Sequence, residues 1–98
     1  MSRIVWMPSA LDDLKSIRDY IAKDSEYYAS KFLDGVFDKA ERLVEFPLSG
    51  RIVPELGNPS VREIIYGSYR IIYEISNNNV FVLTVIHGMR LLPDQLLE

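Results

Sequence analysis

From Val61 to Arg90 apolar and polar residues are grouped into three runs, VREIIY, YRIIYEIS and NVFVLTVIH, divided by short polar breaks. Runs of this length and period predict three consecutive antiparallel β-strands over 61–66, 69–76 and 79–87. A glycine leading a two-residue loop, Gly67-Ser68, suits a type II′ hairpin, whose twist matches the strands it joins. That turn fixes a register. Tyr66 faces Tyr69, Ile64 faces Ile71 and Arg62 faces Tyr73 on the greasier side, while Glu63, Ile65, Arg70, Ile72 and Glu74 fall on the other. Asn77, Asn78 and Asn79 tolerate positive φ and turn the chain into NVFVLTVIHG, whose nearly unbroken apolar character predicts a central strand covered on both faces.

Upstream the period changes to that of a helix. Leu11, Leu14, Ile17 and Ile21 predict an amphipathic helix from Ser9 to about Lys23, with Ser9 as its cap, Asp12 completing a variant capping box and Asp13 in the positive first turn. Asp24-Ser25 signals a second cap. The longer helix that follows carries Ala29, Phe32, Leu33, Val36, Phe37, Ala40, Leu43 and Val44 on one stripe and ends at Phe46-Pro47, because the residue before proline is pushed out of the helical region. Gly35 inside it costs about 1 kcal/mol against alanine, and close approach of the two helices is its expected reason. Arg3 to Met7 reads as a further strand that joins the sheet, ended by Pro8, with Trp6 in the core.

The architecture this predicts is α+β in the order β-α-α-β-β-β. A helical hairpin over residues 9–46 packs on the greasier face of an antiparallel sheet, burying Trp6, Leu14, Ile17, Phe32, Val36, Ile71 and Tyr73. Residues 47–60, PLSGRIVPELGNPS, hold three of the five prolines and two of the five glycines and read as a loop, either a ligand-bearing one or a plain connector. The tail LLPDQLLE reads as a helical turn whose leucines, Leu91, Leu92, Leu96 and Leu97, pack back or await a partner.

Length and composition narrow the function. With 98 residues, 48% hydrophobic and 26% charged, the chain has room for one domain over 1–98 and for one modest core. A net charge of −3 argues against a protein that coats nucleic acid. Nothing approaches the ~20 apolar residues of a membrane span, and the N-terminus lacks the pattern of a signal peptide, so the cytoplasm is the default compartment. Without cysteine there is no disulfide, thiolate nucleophile or cysteine-ligated zinc; His87 alone leaves little for another metal, and no cofactor is expected. Residues 51–98 contain four arginines, Arg51, Arg62, Arg70 and Arg90, and no lysine. The planar guanidinium fork suits carboxylate or phosphate, which makes these four candidates for contact with a target or partner, although so small a set also arises by chance.

The signatures FPLSGRIVPE, REIIYGSYRIIYEI and VIHGMR, set in this order of elements, resemble the toxins of the ParE/RelE superfamily over nearly the whole chain. The resemblance implies a small toxin encoded with a cognate antitoxin that wraps and neutralises it in a hetero-oligomer. It implies one of two targets: DNA gyrase, poisoned by the ParE type, or messenger RNA, cleaved on the ribosome by the RelE type. For the nuclease, the resemblance points to Arg70 and Arg90, with His87 as a further candidate. Cleavage through a 2′-hydroxyl needs a base, an acid and cations for the developing phosphorane charge. The lysine-rich strand of the nucleases is VREIIYG here, and their C-terminal tyrosine or histidine pair has no counterpart in LLPDQLLE. These departures favour the ParE branch and a toxin that is not an enzyme.

Each candidate also has a structural explanation. Arg70 could form a surface ion pair with Glu63 and Glu74, worth roughly 0–1 kcal/mol. His87 could be a hydrogen-bonded strand-end residue. Arg51 could bind a helix C-terminus or a carboxylate. Tyr66, Tyr69 and Tyr73 alternate on the greasy face and read as core.

Overall fold

The structure, a computed structural model, describes residues 3–92. Strand β1 (Ile4–Trp6) leads into helices α1 (Pro8–Ala22) and α2 (Glu26–Glu45), then a 3₁₀ turn (Pro47–Ser49), and strands β2 (Arg51–Ile52), β3 (Val61–Tyr66), β4 (Tyr69–Ser76) and β5 (Asn79–His87). The strands form one sheet in the order β1-β5-β4-β3-β2. The predicted three-stranded meander has the expected limits and the expected β3–β4 register, Tyr66 opposite Tyr69 and Ile64 opposite Ile71. Its turns account for this. Gly67 takes φ +58°, as a type II′ turn requires, and Asn77 and Asn78 take φ 52° and 66°, so both hairpins are tight.

Four features differ from the expectation. The sheet is mixed, because β1 runs parallel to β5, with Ile4 opposite Val80 and Trp6 opposite Val82. The loop 47–60 contributes β2, which pairs antiparallel with β3. The register between β4 and β5 shifts at Ile72/Tyr73, leaving Leu83 as an extra residue on β5, a bulge that a uniformly apolar run does not announce. Helix α1 begins one residue early, at Pro8, with Met7 as its cap and no side-chain cap bond. Proline at the first helical position lacks only an N–H that would be orphaned anyway. Ser9, expected as the cap, and Asp13, expected to serve the first turn, instead tie the helix to β5: Ser9 Oγ donates to the Leu83 carbonyl oxygen at 2.7 Å, and Asp13 accepts from the Thr84 hydroxyl and the Val85 N–H. Serine 25 caps α2 as predicted, accepting from the Tyr28 N–H at 3.1 Å.

The main core lies between the helical hairpin and the sheet. Leu14, Phe32, Val36, Ile71, Val82 and Val85 are buried there, with Trp6 and Ile17 packed half-buried at the margin and not fully enclosed as expected. Gly35 makes room for the sheet and not for the other helix, since a Cβ there would lie 1.8 Å from Tyr66 Oη. Tyr73 is fully buried. Its hydroxyl donates to the Pro47 carbonyl at 2.7 Å and accepts from the Gly50 N–H at 3.0 Å, so it anchors the start of loop 47–60 to the sheet. Tyr73→Phe strands both backbone groups and should cost about 1–3 kcal/mol in urea denaturation. A variant as stable as the parent would mean the anchor contributes nothing.

The expected helical turn of the tail, with Leu96 and Leu97, lies outside the described residues. Leu92, the last described residue, is buried. It packs with Val53, Val61 and Ile72 in a second, smaller core on the sheet face opposite the helices.

Candidate functional site

The β2–β3 register sets Arg51 directly opposite Glu63. The β3–β4 register sets Glu63 opposite Ile72, which makes Arg70 its diagonal neighbour on the same face. Side chains at these three positions therefore form a row across three strands. Glu63 is only 1% exposed and Arg70 5%, so the expected surface ion pair is a buried one. The partner expected from the strand pattern, Glu74, is not part of it. Glu55 takes that place from loop 47–60, and nothing periodic in the sequence places a loop carboxylate there.

Arg70 is engaged through all three of its nitrogens. Nε donates to Glu63 Oε1 at 2.8 Å, Nη2 lies 2.5 Å from the same oxygen, and Nη1 and Nη2 grip the two oxygens of Glu55 at 2.9 and 2.8 Å. Nη1 also donates to the Arg90 carbonyl at 3.1 Å. The second oxygen of Glu63 accepts from Arg51 Nε at 2.6 Å. Two arginines and two carboxylates balance, and a bidentate pair supported by further hydrogen bonds is what allows such charges to remain buried.

Glu55 holds the guanidinium of Arg70 in its charged form well beyond the ordinary range, against the opposing effect of burial. Reciprocally, Arg70 keeps the Glu55 carboxyl below the usual carboxylate value, against the opposing effect of burial. A depressed carboxylate contributes stability above its unfolded pKa, near 4.5, and loses it as pH falls through the lower folded value. Glu55→Gln should therefore be less stable than the parent at neutral pH, with the gap closing as denaturation is measured at pH falling below the unfolded value. A gap independent of pH would assign the loss to shape rather than charge.

The other candidates lie apart from this cluster. Arg62 staples loop 47–60, its Nε donating to the Pro59 carbonyl at 3.0 Å and its Nη1 to the Gly50 carbonyl at 3.0 Å. As the register required, it does not converge with Arg70. His87 is exposed at the end of β5, its Nδ1 accepting the Met89 N–H at 3.2 Å and its ring meeting Tyr69 edge-on at 5.7 Å. It lines a shallow groove of about 280 Å³ with Ile65, Ser68, Tyr69 and Met89, and neither Arg70 nor Arg90 reaches that groove. The Arg90 side chain is exposed; only its backbone carbonyl joins the cluster. The structure thus brings together Arg51 and Arg70 and leaves His87, Arg62 and Arg90 separate. Among the described residues no group of three or more His, Cys, Asp or Glu could hold a metal ion, and no helix is long and apolar enough to cross a membrane.

Two helices on one face of a five-stranded mixed sheet, in this order, define a fold shared with toxins of toxin-antitoxin systems. The chain is similar to a chain of the chromosomal ParDE system from P. aeruginosa, with a TM-score of 0.73 and 20% identity over 89% of this chain and 96% of that one. It is also similar to a chain of the toxin-antitoxin complex RelBE2 from Mycobacterium tuberculosis, with a TM-score of 0.55 and 18% identity over 87% and 95%. Residues 4–92 match the model of the ParE toxin of type II toxin-antitoxin systems. Toxin RelE2 of Caulobacter vibrioides is 33% identical over 92 residues, spanning 93% of this chain and 100% of that protein. The chain belongs to the ParE toxin family, within the ParE/RelE superfamily.

Proposed function

We propose that this toxin stops growth by binding and poisoning DNA gyrase through protein contact, without catalysis of its own, and that a cognate antitoxin neutralises it. The state of Arg70 carries the reading. A ribonuclease needs a cation free to meet the developing phosphorane charge, and Arg70 is buried with every nitrogen committed to Glu55, Glu63 or the Arg90 carbonyl. His87, the only histidine, stands in a groove that Arg70 does not line.

In this reading the whole of residues 1–98 acts as one toxin domain in the cytoplasm. Arg90 and the exposed side of Arg51 remain the arginines best placed for contact with gyrase or antitoxin, while Arg62 and Arg70 support the surface from beneath. Partner binding is supported by the solved systems of similar fold, which include a toxin-antitoxin complex. Such an interface combines an apolar centre with a few arginine–carboxylate pairs at its rim, so high salt should weaken the complex modestly.

Expression in a sensitive host with two readouts tests the target. The gyrase reading predicts a DNA damage response with intact transcripts. A RelE-like, ribosome-dependent endoribonuclease is the second reading, favoured by the name of the 33% identical relative, and it predicts cleaved transcripts without that response.

A further inference from the structure

The sheet face opposite the helices is covered by two short pieces of chain. Val53 and Leu56 from loop 47–60, and Leu92 from the segment after β5, pack over Val61, Ile72 and Ile86. The backbone ties of this cover to the sheet are few, one bond from the Val53 N–H to the Val61 carbonyl at 3.2 Å and one from the Arg90 N–H to the His87 carbonyl at 3.0 Å, and the bonds from the Leu56 and Gly57 N–H groups to the Val53 carbonyl stay inside the loop. Arg70 makes up the difference, gripping Glu55 of the first piece through two nitrogens and the Arg90 carbonyl of the second. Leu92 of the second piece packs on Val53 of the first, which joins the two pieces to each other.

We propose that residues 53–57 and 90–92 form a two-piece cover, clasped by Glu55 and Arg70, that opens as a unit while the sheet and the helical hairpin stay folded. Segments held by few apolar contacts and one charged grip are those that open well below the energy of global unfolding. Opening uncovers an apolar strip, Val61, Ile72 and Ile86, beside an arginine that is still paired with Glu63. Glu63 remains on Arg70 when the cover lifts, so the cation keeps its place in the sheet. The device does not depend on which target the toxin has.

The chain has no cysteine, so a single introduced thiol reports opening without background. Val61→Cys places one under the cover and Val36→Cys places one under the helices, both at buried positions where the change in volume is small. Adding Glu55→Gln should raise the thiol-labelling rate at position 61 by about tenfold or more and leave position 36 unchanged. Equal acceleration at both positions would mean the molecule loosens as a whole, and no acceleration at position 61 would mean Glu55 does not hold the cover; either result overturns the proposal. Amide exchange on the cysteine-free chain gives the same test if a thiol variant folds poorly: in Glu55→Gln the Leu56, Gly57 and Arg90 amides should exchange faster, with Val85 unchanged.

Discussion

Arg70→Ala is expected to lose about 3–5 kcal/mol of folding stability, because it leaves Glu63 buried with half of its charge compensation removed. Arg51 still reaches the second oxygen of Glu63, which places the loss towards the lower end of that range. A domain of this size has roughly 5–15 kcal/mol in all, and its melting temperature should fall by more than about 12 °C. Toxicity would disappear with the fold, so loss of activity in this variant says nothing about catalysis until its melting has been measured. Most of that loss is the cost of stranding the Glu63 carboxylate and not the worth of its pairing with Arg70. Replacing Arg70 by methionine together with Glu63 by leucine removes both buried charges, and the double variant should melt closer to the parent than Arg70→Ala does, falling short of it by the contribution of the Glu55 pairing. An alanine variant as stable as the parent would contradict the buried cluster.

Phe32→Ala should be as costly, about 3–5 kcal/mol, for a different reason. The ring is where α2 meets the sheet, 5.1 Å from the Tyr69 ring edge-on and 6.0 Å from that of Tyr66. Alanine leaves a cavity among Leu14, Val36, Ile71 and Val85 that the regular sheet cannot collapse to fill. Chemical denaturation of Phe32→Ala and Phe32→Leu checks this, with leucine recovering most of the loss; a cost below about 1 kcal/mol for alanine would show that the helix does not seat on this ring.

The strands and their register were legible because the turn residues are specific. Gly67-Ser68 and Asn77-Asn78 each permit one tight turn, and a tight turn leaves little freedom in pairing. The diagonal Glu63–Arg70 contact followed directly from that register. Its burial did not, because the cover consists of Val53, Leu56 and Leu92, residues from aperiodic segments whose position depends on tertiary packing. Glu55 was hidden for the same reason. The bulge at Leu83 left no trace because neighbouring positions of β5 are apolar on both faces, and a shift of one residue changes no visible pattern. At the start of α1 Ser9 reads as the cap and Pro8 only as the end of β1, whereas the proline takes the first helical position and the serine hydroxyl bonds the bulge carbonyl. Gly35 was recognised as a close approach, but the element approaching it, Tyr66 of β3, was beyond what helix periodicity alone could identify.

The claim that this toxin acts on gyrase by contact is tested most directly with purified toxin, DNA gyrase, ATP and supercoiled plasmid, counting protein-linked double-strand breaks after detergent and protease treatment. Linear plasmid should accumulate with added toxin and vanish when gyrase is omitted. Unbroken plasmid at saturating toxin would contradict it.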